Sequence, residues 1–261
     1  MSDGGLGSHL VGGRVQVRQR ILTITKLLGE GEQPRSKNER ENDFYILSHC
    51  SYLAGGFSYV YQVKEVTEQG KGDDASGQSP FLALKVTSIH SRSQRDIAEK
   101  EAKLLSRLSH PSIIKMFDTC YRNHTNPVST SKRTERPQHL ILMEYCEGGH
   151  ALGVCTNLKK SGKRFDLSTL IIAFGQICNA VSYLHAQRPP IIHRDLKPVN
   201  FLVKNGAYKL ADFGSAIFGH VDLRTPKARA DAEEVVKKTT TQMFRAPEMV
   251  DLYSAKKLTQ A

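Results

Sequence analysis

The stretch His193-Arg-Asp-Leu-Lys-Pro-Val-Asn200 decides how this 261-residue sequence is interpreted. Its His, Arg, Asp, Lys and Asn at these spacings arise by chance in about one unrelated chain of this size in ten thousand. Asp212-Phe-Gly214 and Ala246-Pro-Glu248 follow it, and Ala83-Leu-Lys85 precedes it. Asp212-Phe-Gly214 alone is more typical of a turn than of a site. As an ordered set, the four motifs indicate a functional site.

Strand patterns dominate the sequence before Cys146, and a helical pattern follows Gly149. Aromatic and β-branched residues favour strands in stretches 44–66, 81–86, 113–117 and 139–144. A helical face is indicated by apolar residues that step by four and three positions, namely Leu170, Phe174, Ile177, Val181 and Leu184. Strands followed by helices predict an α+β protein of two lobes with a boundary near residues 146–149.

One charged residue interrupts an apolar face in the first half. Residues 93–108 have helical apolar spacing, and Glu101 falls on the same face as Ile97 and Leu104. A buried carboxylate without a cationic partner costs several kcal/mol. The pattern therefore predicts a buried cation beside Glu101.

In order and spacing, the motifs resemble those of the eukaryotic protein kinases, and the match covers about residues 44–261. The resemblance implies a bilobal kinase fold, with a β-rich N-lobe over 44–146 and a helical C-lobe over 147–261. Residues 1–43 would then be an N-terminal extension, and its stretch 20–31 would be a displaced first strand.

The resemblance also implies catalytic roles. Phosphoryl transfer needs positioning and charge neutralisation more than covalent help. Lys85 would bind the α- and β-phosphates of ATP, and Glu101 would hold Lys85 in place. Asp195 would orient the substrate hydroxyl and accept its proton, while Lys197 would lie against the γ-phosphate. The buried cation that Glu101 requires is then Lys85.

Nucleotide and metal contacts follow from the same resemblance. Asn200 and Asp212 would supply the oxygen ligands that Mg²⁺ prefers. The adenine would pair with backbone groups of Glu144 and Cys146. The other implied nucleotide contacts are the gatekeeper Met143, the phosphate loop Leu53, Gly55, Gly56 and Ser58, and the residues above and below the base, Val60, Ala83 and Leu202.

The acceptor class is indicated by two residues. Lys197 stands where serine/threonine kinases carry Lys, and Thr241 stands where that class has a Thr bridging Asp195 and Lys197. Serine or threonine of a protein is therefore the expected acceptor. A solvated polar loop over Thr239–Thr241 is the alternative interpretation of these threonines.

Finer features resemble one branch of the family. Pro189-Pro-Ile-Ile192, Asp212-Phe-Gly-Ser-Ala216, the long stretch 219–238 and residues 239–254 look like the Numb-associated kinases, which include the adaptor-associated and cyclin-G-associated kinases. That likeness implies clathrin-adaptor subunits as substrates and a role in endocytosis.

The phosphate loop departs from the family pattern. When the family pattern G-x-G-x-x-G-x-V is aligned on Val60, Leu53, Gly55 and Ser58 stand at its three glycine positions. Leu53 would crowd a backbone that must approach phosphate. If residues 32–55 are skipped, Leu27-Leu-Gly-Glu-Gly31 runs directly into Gly56-Phe-Ser-Tyr-Val60 and restores two glycines. We hypothesise that this stretch contains translated intron. The alternative is an ordinary strand over 44–53 with a variant loop.

The sequence stops at Ala261, shortly after Ala246-Pro-Glu248. Family kinases continue for further helices, so the expectation is a C-lobe incomplete at its C-terminal end. Two hypotheses of different class therefore stand, an active serine/threonine kinase and a truncated, inactive fragment that acts only by binding nucleotide or protein.

Composition excludes several other classes. The net charge is +11, but the basic residues are dispersed and not interleaved with aromatics, so nucleic acid is not an expected partner. Five scattered cysteines without CxxC spacing favour neither a disulfide framework nor a zinc site. No transmembrane segment or secretory signal is expected, and the predicted location is cytoplasmic, with peripheral membrane association compatible with it.

Overall fold

The structure is a computed structural model that describes residues 10–30, 58–66, 80–122, 137–254 and 256–259. These residues divide into two compact units. The first contains the described residues up to Ser106 together with Lys115–Cys146, and the second contains Arg107–Ile114 and the described residues from Glu147 onward.

The first unit is built on a six-stranded antiparallel sheet in the order β1-β2-β3-β4-β6-β5. The strands are β1 Arg14–Val17, β2 Arg20–Glu30, β3 Ser58–Glu65, β4 Phe81–Ser88, β5 Met116–Arg122 and β6 Gln138–Glu144. The core on this sheet is aliphatic apart from Tyr61, with Leu22, Val63, Leu84, Leu140 and Leu142 among its most deeply buried members. Of the predicted strands, 81–86 and 139–144 fall within β4 and β6.

The N-terminal residues contribute two strands to this sheet. The stretch interpreted from sequence as a displaced strand, 20–31, is β2 over Arg20–Glu30, and it pairs with β3 from Leu22↔Glu65 to Glu30↔Tyr59. The strands β1 and β2 are thus part of the sheet of the first unit. Their inward-facing residues, among them Val15, Val17 and Leu22, belong to its core. The strand predicted over 44–53 lies outside the described residues.

One helix, α1, covers Arg92–Leu105 in the first unit. It begins after Ser91, whose side chain accepts a hydrogen bond from the Gln94 amide, as expected of a serine N-cap. The helix predicted over 93–108 is present, but it ends three residues earlier, at Leu105.

The second unit is mainly helical. Its helices are α2 Ala151–Lys160, α3 Leu167–His185, α4 Pro226–Thr239 and α5 Pro247–Val250. Three two-stranded sheets accompany them: β7 Ile191–Ile192 with β10 Ile217–Phe218, β8 Phe201–Lys204 with β9 Ala207–Leu210, and β11 Val221–Asp222 with β12 Lys257–Leu258.

The buried face of α3 matches the predicted stripe in part, since Leu184 is buried and Ile177 and Val181 are half-buried. Ala173, Ala180 and Leu184 are its buried residues, whereas Leu170 and Phe174 are 49% and 65% exposed. α3 also contacts β9, where Gln176 accepts a hydrogen bond from the Tyr208 amide at 2.8 Å. By length and composition alone, α3 also meets the requirement for a membrane span, a property that buried helices of soluble proteins share.

The helix α4 occupies a stretch for which no secondary structure was predicted. Thr225 caps it by accepting from the Ala228 amide, and Pro226 stands at its first position. Ala232 packs with Leu223, Leu252 and Leu258 in a small core of its own. This part of the chain is therefore a folded segment.

Candidate active site

In the first unit, the structure brings Lys85 and Glu101 together. Lys85 lies on β4 and Glu101 on the inner face of α1, and the ammonium contacts both carboxylate oxygens at 2.8 and 3.0 Å. Both residues are buried, with 5% and 7% of their surfaces exposed. A buried pair with good geometry offsets much of the cost of removing two charges from water. The helical pattern predicted a buried cation beside Glu101, and Lys85 is that cation.

A histidine that the sequence analysis did not single out lies close to this pair. His139 on β6 is almost fully buried, and its Nε2 lies 2.9 Å from the Thr119 hydroxyl. Burial, and then the charge of Lys85, lower the pKa of His139 to about 4. The ring is therefore neutral at neutral pH.

The remaining nucleotide-contact candidates of the first unit lie on its strands. Ala83 on β4 is paired with Met143 on β6, and Val60 on β3 is paired with Lys85. Ser58 is buried and donates to the Thr87 hydroxyl at 3.1 Å. Leu53, Gly55 and Gly56 lie outside the described residues.

The end of β6 and the residues directly after it carry the positions expected to meet adenine, Glu144 and Cys146. The Glu144 amide donates to the Lys115 carbonyl at 2.9 Å, and its carboxylate accepts from the Lys115 amide at 2.8 Å. These two bonds fix the end of β6. Cys146 is half-buried two residues further on.

In the second unit, Asp195 is the centre of a buried hydrogen-bond cluster. Its carboxylate lies 2.8 Å from the Lys197 ammonium and accepts from the Asn200 amide at 3.2 Å. The same Asn200 nitrogen also donates to the Asp195 carbonyl at 2.8 Å. Asp195, Lys197 and Asn200 are each at least 94% buried in this short turn between β7 and β8.

Thr241 completes the cluster from a distant part of the sequence. Its amide donates to Asp195 Oδ1 at 3.1 Å, and its hydroxyl accepts from the Lys197 ammonium at 2.7 Å. Thr241 therefore contacts both Asp195 and Lys197, as the first of the two interpretations predicts. A freely solvated polar loop is therefore wrong at this residue.

The partners of Asp195 decide its charge. Burial alone raises the pKa of this carboxyl, but hydrogen bonds from Lys197 and Thr241 outweigh it and hold the pKa below its ordinary value. Asp195 is thus an anion at neutral pH, with fixed orientation. A carboxylate of this kind can accept a proton from a substrate hydroxyl.

Asp212 and His193 lie on the other side of the same turn. His193 is buried against the Phe213 ring, with the two ring centres 5.0 Å apart, and burial lowers its pKa. Asp212 adopts a left-handed backbone with φ of 60°, an uncommon conformation that often marks a functional position. Leu202 lies on β8, half-buried, and its backbone is bridged to His150.

Two buried residues, His139 and Ser215, have no role assigned from the motifs. His139 lies on β6, where every residue from His139 to Leu142 is buried, and this pattern gives no sign of its contact with Thr119. Ser215 directly follows Asp212-Phe-Gly214, and it too is buried at a contact between segments.

The sequence matches the protein kinase domain family over residues 54–261, so the chain belongs to that family. It is 36% identical over 213 residues, 80% of the chain, to a probable serine/threonine-protein kinase of Dictyostelium discoideum. A second probable serine/threonine-protein kinase of that organism is 30% identical over 257 residues, 96% of the chain, and serine/threonine-protein kinase ppk30 of Schizosaccharomyces pombe is 31% identical over 204 residues, 77% of the chain. The chain spans 17%, 27% and 19% of the lengths of these three proteins.

Proposed function

We propose that this kinase domain transfers the γ-phosphate of ATP to serine or threonine hydroxyls of proteins. The observation that carries the proposal is the buried Asp195 carboxylate, held as an oriented anion by Lys197, Asn200 and Thr241. Three serine/threonine kinases among the relatives support the acceptor class. In this function Lys85, held by Glu101, binds phosphate oxygens of ATP.

The residues expected to hold Mg²⁺ fit a hard cation. The Asn200 nitrogen makes two hydrogen bonds to Asp195, so its amide oxygen is the side-chain atom that would bind a cation. Amide and carboxylate oxygens, here those of Asn200 and Asp212, are ligands that Mg²⁺ accepts. When bound, the ion would neutralise phosphate charge.

Replacement of Asp195 by Asn tests the assignment. Loss of a positioned base typically lowers turnover by about 10²–10⁴-fold, so Asp195→Asn should lose most ATP-dependent phosphorylation of a Ser/Thr-rich protein while ATP still binds. Asp222→Asn, which removes an exposed carboxylate paired with Arg224, is the matched control and should keep full activity.

Phosphoamino acid analysis of the product then separates serine and threonine from tyrosine. Undiminished turnover in Asp195→Asn would contradict the role of Asp195. Nucleotide binding without transfer by the unmodified chain would favour the second hypothesis, a binding fragment.

For the physiological substrate, we propose clathrin-adaptor subunits, with the protein cytoplasmic and peripherally associated with membranes during endocytosis. The support is the resemblance of residues 189–192, 212–216 and 239–254 to the Numb-associated kinases. Purified adaptor subunits should be phosphorylated with higher kcat/KM than a generic basic protein. Equal values for the two substrates would contradict the proposal.

A further inference from the structure

Ser215 lies where the two ends of a long segment meet the catalytic turn. The segment, residues 213–241, begins after Asp212 and ends at Thr241, which contacts Asp195. Ser215 is 6% exposed and uses two of its polar groups on two different parts of the chain. In the sequence, Ser215 belongs to the stretch Asp212-Phe-Gly-Ser-Ala216, but that resemblance gives its side chain no role.

The first contact joins Ser215 to the catalytic turn. Arg194, which directly precedes Asp195, donates from Nε to the Ser215 carbonyl at 2.6 Å. Arg194 makes this contact from a left-handed backbone conformation, with φ of 67°, which is uncommon for a residue other than glycine. The beginning of the segment is thereby fixed beside Asp195.

The second contact joins Ser215 to the far end of the segment. The Ser215 hydroxyl donates to the carbonyl of Thr239, the last residue of α4 and 24 positions further along the chain. The last carbonyls of a helix have no partner within the helix, and the Ser215 hydroxyl is the hydrogen-bond donor to the Thr239 carbonyl at the end of α4. One buried side chain thus closes a loop of 24 residues, which is entropically costly to keep closed without a link.

Thr241 lies close to this link along the chain, since only Thr240 separates Thr239 from Thr241. Arg245 braces the same place by donating to the Thr240 hydroxyl at 2.8 Å. From Thr241, an amide and a hydroxyl reach Asp195 and Lys197. A displacement of the end of α4 would therefore withdraw one donor from Asp195 and one acceptor from Lys197.

We propose that Ser215 is a positioning residue, whose hydroxyl holds the end of α4 so that Thr241 orients Asp195. For catalysis the inference rests on the proposed kinase function. Its structural part, the dependence of the Thr241–Asp195 hydrogen bond on the Ser215 hydroxyl, does not.

Ser215→Ala isolates the hydroxyl, because the backbone carbonyl that Arg194 contacts is retained. Loss of one buried hydrogen bond should lower kcat by about 5–10-fold, with KM for ATP unchanged because ATP binding does not use Thr241. Ser215→Thr restores a hydroxyl and should recover most of kcat. Ser161→Ala, which removes a serine hydroxyl from the carbonyls at the end of α2, should leave kcat unchanged.

Hydrogen exchange on the full chain supplies a readout that needs no activity. The Thr241 amide should exchange about 5–10-fold faster in Ser215→Ala than in the unmodified chain, while amides within α3 keep their rates. An unchanged Thr241 amide would overturn the inference whether or not the chain is active. Faster exchange with an unchanged kcat would overturn its catalytic part, as would a loss of kcat that Ser215→Thr fails to restore. A chain that is inactive before mutation contradicts the proposed function and leaves the exchange result decisive for Ser215.

Discussion

Deletion of residues 32–55 should tighten ATP binding, and the pairing of β2 with β3 is the reason. Glu30 is paired with Tyr59 and Gly29 with Val60, so the residues on both sides of the stretch 31–58 are already neighbours in one antiparallel hairpin. The deletion joins Gly31 to Gly56 and leaves a four-residue connection, Gly31-Gly56-Phe57-Ser58. It also replaces Leu53 and Gly55 by Gly29 and Gly31 at the positions where backbone must approach phosphate.

The magnitude follows from loop closure. In the natural chain 28 residues, 31–58, connect Glu30 to Tyr59, and the deletion reduces them to four. The cost of closing a loop grows as (3/2)RT ln n, so a sevenfold shortening makes closure easier by about 1.7 kcal/mol. If that cost is met when backbone amides gather around the phosphates, the Kd for ATP should fall by about 20-fold.

The assay is titration calorimetry with ATP on the chain and on its Δ32–55 variant. Deletion of residues 124–135 is the matched control, because it shortens the connection between β5 and β6, whose ends Arg122 and Gln138 are also paired. The control should raise the melting temperature without changing the Kd for ATP. Equal ATP affinities for the natural chain and Δ32–55, together with a message that retains those codons throughout, would refute both the intron hypothesis and its consequence for the site.

Two further predictions concern stability. His139 has a pKa of about 4 in the folded chain, against 6.5 in the unfolded chain, so the unfolded chain binds more protons between these pH values. The free energy of unfolding should therefore fall by up to about 3 kcal/mol as the pH falls from 6.5 to 4. Urea titrations at pH 7 and 4.5 should show a smaller loss in His139→Gln than in the unmodified chain, and an equal loss would contradict the prediction. Gly148→Ala should destabilise the chain by about 1–3 kcal/mol, since its Cβ would lie 2.8 Å from Val203 side-chain atoms, whereas Gly153→Ala, whose Cβ meets nothing nearer than 3.5 Å, should be neutral or stabilising in a thermal melt.

The pairing of Lys85 with Glu101 shows what the sequence alone can predict. Helical spacing places Glu101 on an apolar face, and the cost of a buried carboxylate demands a cation without reference to any family. The four motifs then name Lys85 as that cation. Prediction succeeds here because local periodicity and a large electrostatic cost constrain the same residue.

The segment 213–241 shows why the rest could not be predicted. The sequence of α4 has few large apolar residues, and the helix packs with Leu252 and Leu258, which follow it by more than ten residues. The role of Ser215 depends on a carbonyl 24 positions away, and a backbone carbonyl leaves no mark in the sequence. The buried face of α3 was predicted only in part, since Leu184 is buried as expected, whereas Leu170 and Phe174 are exposed and Ala173 and Ala180 are buried instead.

Each unit buries a carboxylate beside a lysine, and the difference between the two pairs explains their different chemistry. Glu101 offers both oxygens to Lys85, which fixes the position of the ammonium on β4. Asp195 divides its oxygens among Lys197, Asn200 and Thr241, three donors from two separate segments. In the first pair the carboxylate positions a cation, and in the second the donors position a carboxylate. A buried ion pair adds little net stability, so the burial of both pairs is better explained by the orientation each imposes on its charged group than by the stability of the fold.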